Sequence, residues 1–551
     1  MYTVRGFQSS SQPIIHFGYG DVQKIDSLKI VWPDKTYQIL RNLNVNQTLV
    51  IEPLNNKLYS YKKEQNTQQL LFEKTTNNLG INYVHVEDNY SDYLRQKLIP
   101  YQISDRGPAV SVGDLNGDGT DDIFFGGSKF IASKIYVQND TIFRLKKYIE
   151  IQKDSVKEDI ASVIADFNDD GNNDLIIGTG GADFFNQMKP LTNTYYVAKD
   201  SSFVEQPFPQ LFENTSILLS FDYDHDNDLD IFVGNQSITA DYGNKPNGYL
   251  LQNENGEFKI ANNMPFEDLG MITDALITDF NQDGWEDLLV VGEWMSPRFF
   301  ENNKGTFKEM FPLKDANLNG LWQAVISFDI DSDGDLDYLL GNWGTNTKFK
   351  ASVDHPMRMY YGDLDKNGAT ETVLSIFKDD ADYPVDGLIE LSSQLVSLRK
   401  KFSTYKSFAG KPIDEVLGPE MISNARIEEV HTLQSGYLKN DMGTFSFIPF
   451  NFELQVSPIM SFLEFDFDNN DKTEVLAAGN YFGVKPYHGR FDSFPGAMIS
   501  SPDDMQLTNA LGLDLTGKSI RHVNIINLKD KAYLLLTFNN DKAQVYTILK
   551  Q

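Results

Sequence analysis

The chain has 551 residues, with 48 Lys and Arg against 78 Asp and Glu, for a net charge of −30. That balance disfavours nucleic acid and anionic membranes as partners, and the absence of Cys excludes disulfides and thiolate metal sites. The length suits roughly two to four domains, and no apolar run approaches the ~18 residues of a membrane span.

The first twenty residues, MYTVRGFQSSSQPIIHFGYG, lack the basic flank and apolar core of a signal peptide. Either the protein stays inside the cell, or this chain is a piece of a longer precursor that carries the export signal upstream.

From residue 114 onward a nine-residue acidic pattern recurs seven times. Its potential oxygen donors sit at positions 1, 3, 5 and 9, with the backbone carbonyl of position 7. In chain order the sets are Asp114, Asn116, Asp118, Thr120 and Asp122; then Asp166, Asn168, Asp170, Asn172 and Asp174. The third is Asp222, Asp224, Asp226, Asp228 and Asp230, and the fourth is Asp279, Asn281, Asp283, Trp285 and Asp287. The fifth is Asp329, Asp331, Asp333, Asp335 and Asp337. The sixth is Asp363, Asp365, Asn367, Ala369 and Glu371, and the seventh Asp466, Asp468, Asn470, Lys472 and Glu474.

Apolar runs precede almost every copy, and most are followed by a short apolar run ending in Gly, as in IFFGG, LIIG and YLLG. Each unit therefore reads as strand, acidic loop, strand. Carboxylates packed this closely repel one another unless a cation enters. Hard, oxygen-only donors in this number suit Ca²⁺. Position 6 is Gly in five copies, Asn227 in the third and Asp471 in the seventh, the residue types that tolerate a left-handed turn. The fifth, first and second loops carry the fullest ligand sets. The seventh is the poorest, with Asn470, Asp471 and Lys472, and the sixth is intermediate. Divalent ions in all seven would raise the net charge from −30 to −16.

These strand–loop–strand copies resemble FG-GAP or VCBS repeats, the calcium-loop blades found in integrin α-subunit propellers. Near the N-terminus, RGFQSS (Arg5–Ser10), HFGYGD (His16–Asp21), IDSLKIVWPDKTYQIL (Ile25–Leu40) and NQTLVIE (Asn46–Glu52) resemble the ASPIC/UnbV domain, a small β module. Lys35 stands where that family usually has Gly, and the module looks truncated at its start. GNWGTNTKFKAS and the run from SPIMSFLEFD to GNYFG are similar to stretches of large bacterial surface proteins. The resemblance implies an adhesive or ligand-binding role.

The fold expected is all-β: a small N-terminal β domain over residues 1–60 and a β-propeller over 70–551. Most loop starts are 50 to 57 residues apart, which suits four-stranded blades on the analogy of known propeller repeats. The step of 34 residues to Asp363 is too short, so that loop reads as a second hairpin in the blade starting near Trp322. The next step of 103 residues contains an insertion. Within it Leu388, Leu391, Leu395, Leu398 and Phe402 recur at helical spacing, so about 386–432 is expected to be helical. His522–Phe538 reads as a degenerate last blade, giving seven blades, or eight if the Asp363 hairpin stands alone. INYVHVE (Ile81–Glu87) is placed to complete the last blade.

No HExxH, GxSxG or Walker loop occurs, and the seven His are scattered. The propeller face opposite the acidic loops should collect Arg106, Trp294, Trp322, Gln323, Asn342, Trp343, Asn480 and Tyr481. Aromatics with amides and an Arg suit a glycan or protein ligand; the alternative is that they fill the spaces between blades. The reading is a non-catalytic, calcium-stabilised binding or adhesion protein, extracellular or on a bacterial cell surface. The competing classes are a polysaccharide-active enzyme using carboxylates on that face, and an assembly scaffold without a small ligand.

Overall fold

A computed structural model describes residues 10, 12, 14–54, 57–59, 70–181, 183–199, 202–315, 317–529 and 531–549. The chain divides into two compact units, 1–68 and 69–551. Arg5–Phe7, Gln8 and Ser9 of the RGFQSS stretch lie outside the described residues.

The first unit is built on an antiparallel hairpin, Lys24–Val31 with Tyr37–Asn44, in register from Lys24 opposite Asn44 to Val31 opposite Tyr37. Its turn, Trp32 to Thr36, closes with Lys35 N–H donating to Trp32 O at 2.9 Å and Trp32 N–H donating to Thr36 O at 2.8 Å. Lys35 is left-handed, with φ 68°, the conformation that a Gly takes at no steric expense. Asp34 steadies the turn by accepting from both the backbone and the hydroxyl of Thr36.

The second unit is an all-β propeller of four-stranded antiparallel sheets. Sheet 1 is Val110–Gly113, Asp122–Phe125, Lys134–Asn139 and Ile142–Lys146. Sheet 2 spans residues 159–206, sheet 3 214–260, sheet 4 271–310 and sheet 6 459–507, each in simple up-and-down order. Sheet 5 joins Ala324–Phe328 and Asp337–Gly341 to Gly436–Asp441 and Thr444–Pro449. In sheet 7, Ile520–Leu528, Lys531–Phe538 and Gln544–Ile548 are completed by Phe72–Lys74 from the start of the unit.

The first strands of these seven sheets touch one another in cyclic order, and the first strand of sheet 7 returns to that of sheet 1. Each of the seven junctions between neighbouring sheets is filled by its own apolar cluster. The second strand of each sheet is sandwiched on both faces, and Asp230–Ser237 is buried throughout. The outer fourth strands face solvent and each anchors on one Phe: Phe143, Phe203, Phe258, Phe307 and Phe445 in sheets 1 to 5. An outer strand has one sheet face to bury, so alternation survives there and vanishes in the second strand.

Three features differ from the sequence-based expectations. Phe72–Lys74, rather than Ile81–Glu87, supplies the closing strand, although Tyr83 O and His85 N–H also bond the last sheet's turn. The Asp363 loop is no hairpin of sheet 5. It lies in a separate four-stranded sheet, Ala381–Pro384, Glu371–Lys378, Met357–Gly362 and Arg426–Val430, inserted between the second and third strands of sheet 5. The helical segment inside this insertion breaks into Leu388–Gln394, Leu398–Lys401, Tyr405–Phe408 and Ile413–Asn424, and its last part, Arg426–Val430, is strand. The five apolar side chains from Leu388 to Phe402 are all buried together against Val373 and Leu364 of the inserted sheet, as their spacing predicts.

Candidate functional site

All seven acidic loops adopt one backbone conformation. Position 6 is left-handed in every copy, with φ from 65° at Asp471 to 96° at Gly334. Position 4 is left-handed as well: Gly117, Asp169, His225, Gln282, Ser332, Lys366 and Asn469 all have φ between 53° and 76°. Two such residues, one on each side of position 5, fold the loop back on itself.

The side chains then divide their work. The position-1 carboxylate accepts from the backbone N–H groups of positions 5 and 6, as Asp114 does from Asp118 and Gly119 at 3.1 and 2.7 Å. The position-9 carboxylate opens the second strand and is buried. In the first, third and fifth loops one of its oxygens accepts from position 2, the other from the third strand. Asp122 takes Leu115 N–H at 3.2 Å and Gln138 N–H at 2.9 Å, and Asp337 takes Ile330 and Asn440 likewise. Burial raises these carboxyls, Asp122, Asp174 and Asp337 to about 6, and Asp230, Asp287, Glu371 and Glu474 to about 7.

Position 3 separates the loops into two groups. Where it is Asp, three carboxylates come within 4.8 Å of one another: Asp222, Asp224 and Asp230; Asp329, Asp331 and Asp333; Asp363, Asp365 and Glu371; Asp466, Asp468 and Glu474. In all four, the position-3 Oδ1 (Asp224, Asp331, Asp365, Asp468) is buried without a hydrogen-bond partner. Glu371 Oε1 and Asp287 Oδ2 are in the same condition. Several acidic clusters thus have the donors and the unsatisfied oxygens to hold a metal ion. The sixth and seventh loops, the poorer ones by residue count, belong to this group. In the first, second and fourth, Asn116, Asn168 and Asn281 contribute amides at position 3. The fifth loop has a resident cation of its own, since the Lys439 ammonium pairs with Asp331. The remaining loop residues named above keep to the exposed turn: Asp170 accepts from Asn172, and Trp285 stacks on His225 of the preceding loop at 3.8 Å.

A further contribution went unread in the sequence. Asn253, Asn302 and Asn440 end the third strands of sheets 3, 4 and 5, each accepting from a Gly three residues on. Asn253 and Asn302 also donate to the position-2 carbonyl of the neighbouring sheet's loop, Phe167 O and Tyr223 O, both at 2.8 Å. The repeated Asn-x-x-Gly is the signal that marks them.

At the opposite end, the predicted ligand face converges but does not face solvent. Arg106 donates to Gln323 at 2.6 Å and to Glu293 at 2.7 Å, between the rings of Tyr101 and Tyr481. Trp294 donates to Tyr242, which holds the other oxygen of Glu293. Trp343 stacks on Tyr101 at 4.3 Å. Asn342 and Asn480 are buried and spend their amides on backbone carbonyls, including Thr432 O and Leu515 O. Trp322 lies apart, between sheets 4 and 5, donating to Leu318 O. As an exposed aromatic platform this set is corrected: Trp322 is 0% and Trp343 1% exposed. The physical reason is long-range. Ile99, Tyr101 and Ile103, ahead of sheet 1, and Met357, Met359 and Tyr361 of the inserted sheet cover that end in one apolar cluster.

The insertion creates open space at its edge. A cavity of about 540 Å³ lies between sheet 4 and the inserted sheet, with Trp294, Met295, Arg298, Phe311, Met359 and Glu428 in its wall. Two ion pairs belong to its wall, Arg298 with Glu309 at 2.6 Å and Lys245 with Glu428 at 3.1 Å. Phe311 is 83% exposed. A second cavity of about 590 Å³ is walled by Phe349, Lys350, Val353, His431 and Gln434.

Among the described residues no helix is long and apolar enough to cross a membrane. Residues 1–58 match the family described as ASPIC and UnbV. Residues 222–290 and 279–340 match the FG-GAP-like repeat. No curated protein matches the chain. Among solved structures, the V. cholerae biofilm matrix protein Bap1 is similar, with 11% identity, a TM-score of 0.39, and coverage of 88% of this chain and 92% of that one. YCF48 from Cyanidioschyzon merolae has 7% identity and a TM-score of 0.38, covering 83% and 98%. BBS1N, solved in complex with ARL6DN, has 7% identity and a TM-score of 0.37, covering 88% and 98%.

Proposed function

We propose that this chain is a non-catalytic binding or adhesion protein, calcium-stabilised and displayed outside a bacterial cell. Its ASPIC/UnbV module occupies residues 1–60, and residues 70–551 form a propeller of seven blades with an insertion. One observation carries the metal reading: all four position-3 aspartates hold a buried carboxylate oxygen with no partner. Such an oxygen is costly to leave unmatched, at about 1–3 kcal/mol or more for a charged group. Oxygen-only ligands favour Ca²⁺ over softer ions. The ion would be held by positions 1, 3, 5 and 9 and the carbonyl of 7; in three loops the position-9 carboxylate already joins the cluster, as Asp230, Glu371 and Glu474. Its chemistry is neutralisation of the loop, which pins the turn between the first two strands. Loops of this kind fill at the calcium levels found outside cells, which supports export.

The ligand, a glycan or a protein, is assigned to the end opposite the loops. The support there is the cavity beside Trp294, whose volume falls in the range of ~300–1,000 Å³ usual for ligand pockets. Thermal unfolding with calcium and with EGTA, together with the metal content of the purified protein, tests the first half. Several bound ions and a large calcium-dependent shift are expected; no metal and no shift would overturn it. A glycan array tests the second half, with Phe311→Ala expected to weaken any ligand seated in the cavity while the melting temperature holds.

A further inference from the structure

The net charge of −30 conceals a strong asymmetry. The seven acidic loops alone hold 29 carboxylates and two lysines, so −27 of it resides in them and the rest of the chain is close to neutral. The longest acid-free stretch of the sequence runs from Leu391 to Ile413, between Glu390 and Asp414, and contains Arg399, Lys400, Lys401, Lys406 and Lys411.

The structure joins part of this basic stretch to an exposed apolar patch. Phe130 and Phe185 follow the second strands of sheets 1 and 2, which places them at the end opposite the acidic loops. Phe130 is 70% exposed and is held with φ 65°, a left-handed backbone rare for an aromatic residue. Lys129 lies 5.0 Å from the Phe130 ring and pairs with Asp183. Arg95 covers the Phe185 ring at 4.7 Å and donates to Asp183 O at 3.3 Å. Its neighbour Leu94 is 74% exposed. Two residues on, Lys97 donates to Ser393 O at 3.1 Å, and Arg399 donates to Ser392 O at the same distance. Both cations thus gather at the C-terminal turn of the helix Leu388–Gln394, where carbonyls attract them. Val396, just beyond, is 57% exposed.

We propose that this strip, from Phe130 through Leu94 to Val396 and Lys400, docks on an anionic lipid surface. Its chemistry is cations interleaved with exposed aliphatic and aromatic side chains. Cations of this kind are drawn to anionic headgroups, and exposed apolar side chains insert at the headgroup boundary. Leu94 and Val396 offer no flat ring for a sugar to stack on, which favours lipid over an acidic glycan. Six of the seven acidic loops lie at the other end of the sheets, more than a ~8 Å screening length away if the sheets are even three residues tall; the sixth lies on this side, where Gln394 donates to Thr370 O at 3.4 Å, and its Lys366 is paired with Glu420. The proposal stands apart from the ligand assigned to the cavity.

The test is sedimentation of the full chain with vesicles of phosphatidylglycerol and phosphatidylcholine, against phosphatidylcholine alone, with calcium present and constant. Binding is expected only to the anionic vesicles and should weaken as salt is raised. Phe130→Asn, whose backbone tolerates the left-handed turn, combined with Leu94→Ser, should lower it about tenfold. Lys400→Glu should lower it by at least about fivefold. Met442→Asn, at an exposed apolar position beside the fifth acidic loop, should leave it unchanged, which separates the strip from non-specific apolar adsorption. Unaltered melting temperatures of the strip variants would show that the fold is intact. Equal binding to both vesicle types would overturn the proposal, as would no binding, or full binding by the Phe130→Asn, Leu94→Ser protein. Capture of soluble dextran sulfate without vesicle binding would overturn it in favour of a polyanion.

Discussion

The two ends of the ring are built from the same seven sheets and follow opposite rules. At the acidic end, one nine-residue pattern yields one conformation six times over, and the inserted sheet repeats it once more, with left-handed residues at positions 4 and 6 in every copy. At the other end, equivalent positions diverge. Trp294 and Trp343 are buried, whereas Phe130 and Phe185 stand exposed. The acidic loops close on themselves through Asp side chains, so their shape is local. The opposite connections are shaped by what lands on them: Ile99, Tyr101, Ile103 and the inserted sheet pack on Trp294, Trp343 and Tyr481 of sheets 4, 5 and 6, and Phe130 and Phe185 lie outside that cluster.

Stripping metal should break this comparison hardest. At free calcium 100 times Kd, each filled loop adds about 2.7 kcal/mol, so EGTA should shift thermal unfolding by the sum over loops. Differential scanning calorimetry reads it. At the opposite end, Trp343→Ala should cost about 3–5 kcal/mol by opening a void against Tyr101, measurable as a lower urea midpoint. A small effect there, with lost ligand affinity instead, would return Trp343 to a recognition role.

Asp224→Ala should remove one bound ion and leave the other loops filled, read by metal analysis; unchanged stoichiometry would dismiss that site. The pH response of metal-free protein is a finer test. Burial raises Asp230, Asp287, Glu371 and Glu474 to about 7, so the native state holds protons there that the unfolded chain releases near pH 4. Their contribution is therefore present at low pH and lost as pH rises through about 7. Metal-free protein should lose stability between about pH 4 and 7, and protection by calcium should grow over the same interval. The smallest effect expected is at the N-terminal hairpin: Lys35→Gly relieves a left-handed Lys and should stabilise that unit by about 1 kcal/mol.

The sequence was most readable where structure is local. Asp114 to Asp122 announces a turn between two strands, and the hydrogen bonds of Asp114 and Asp122 deliver it. The burial of Leu388 to Phe402 was legible from spacing alone, though the break into separate helices was not. Counting charges along a loop does not tell where three carboxylates meet, because position 3 decides that. What escaped was set by distant chain. Nothing near Trp343 tells that Tyr101 will stack on it, and nothing near Asp363 tells that its strand pairs with Arg426–Val430. Net charge is a coarse guide too, because a sum over the chain does not reveal that the carboxylates gather in loops.

The strand that completes sheet 7 has a consequence for synthesis. Phe72 pairs with Ile548, and Leu549 N–H donates to Leu71 O at 2.8 Å, so the ring unit is fastened by its own two extremities. A ribosome must deliver nearly the whole chain before that fastening can form. Until then, the outer edge of sheet 7 lacks its strand and the apolar faces of sheets 1 and 7 wait for each other. The nascent ring is therefore exposed to wrong pairings until residue 548 has been delivered, and deleting residues 544–551 should leave both extremities of the ring frayed and open to proteases.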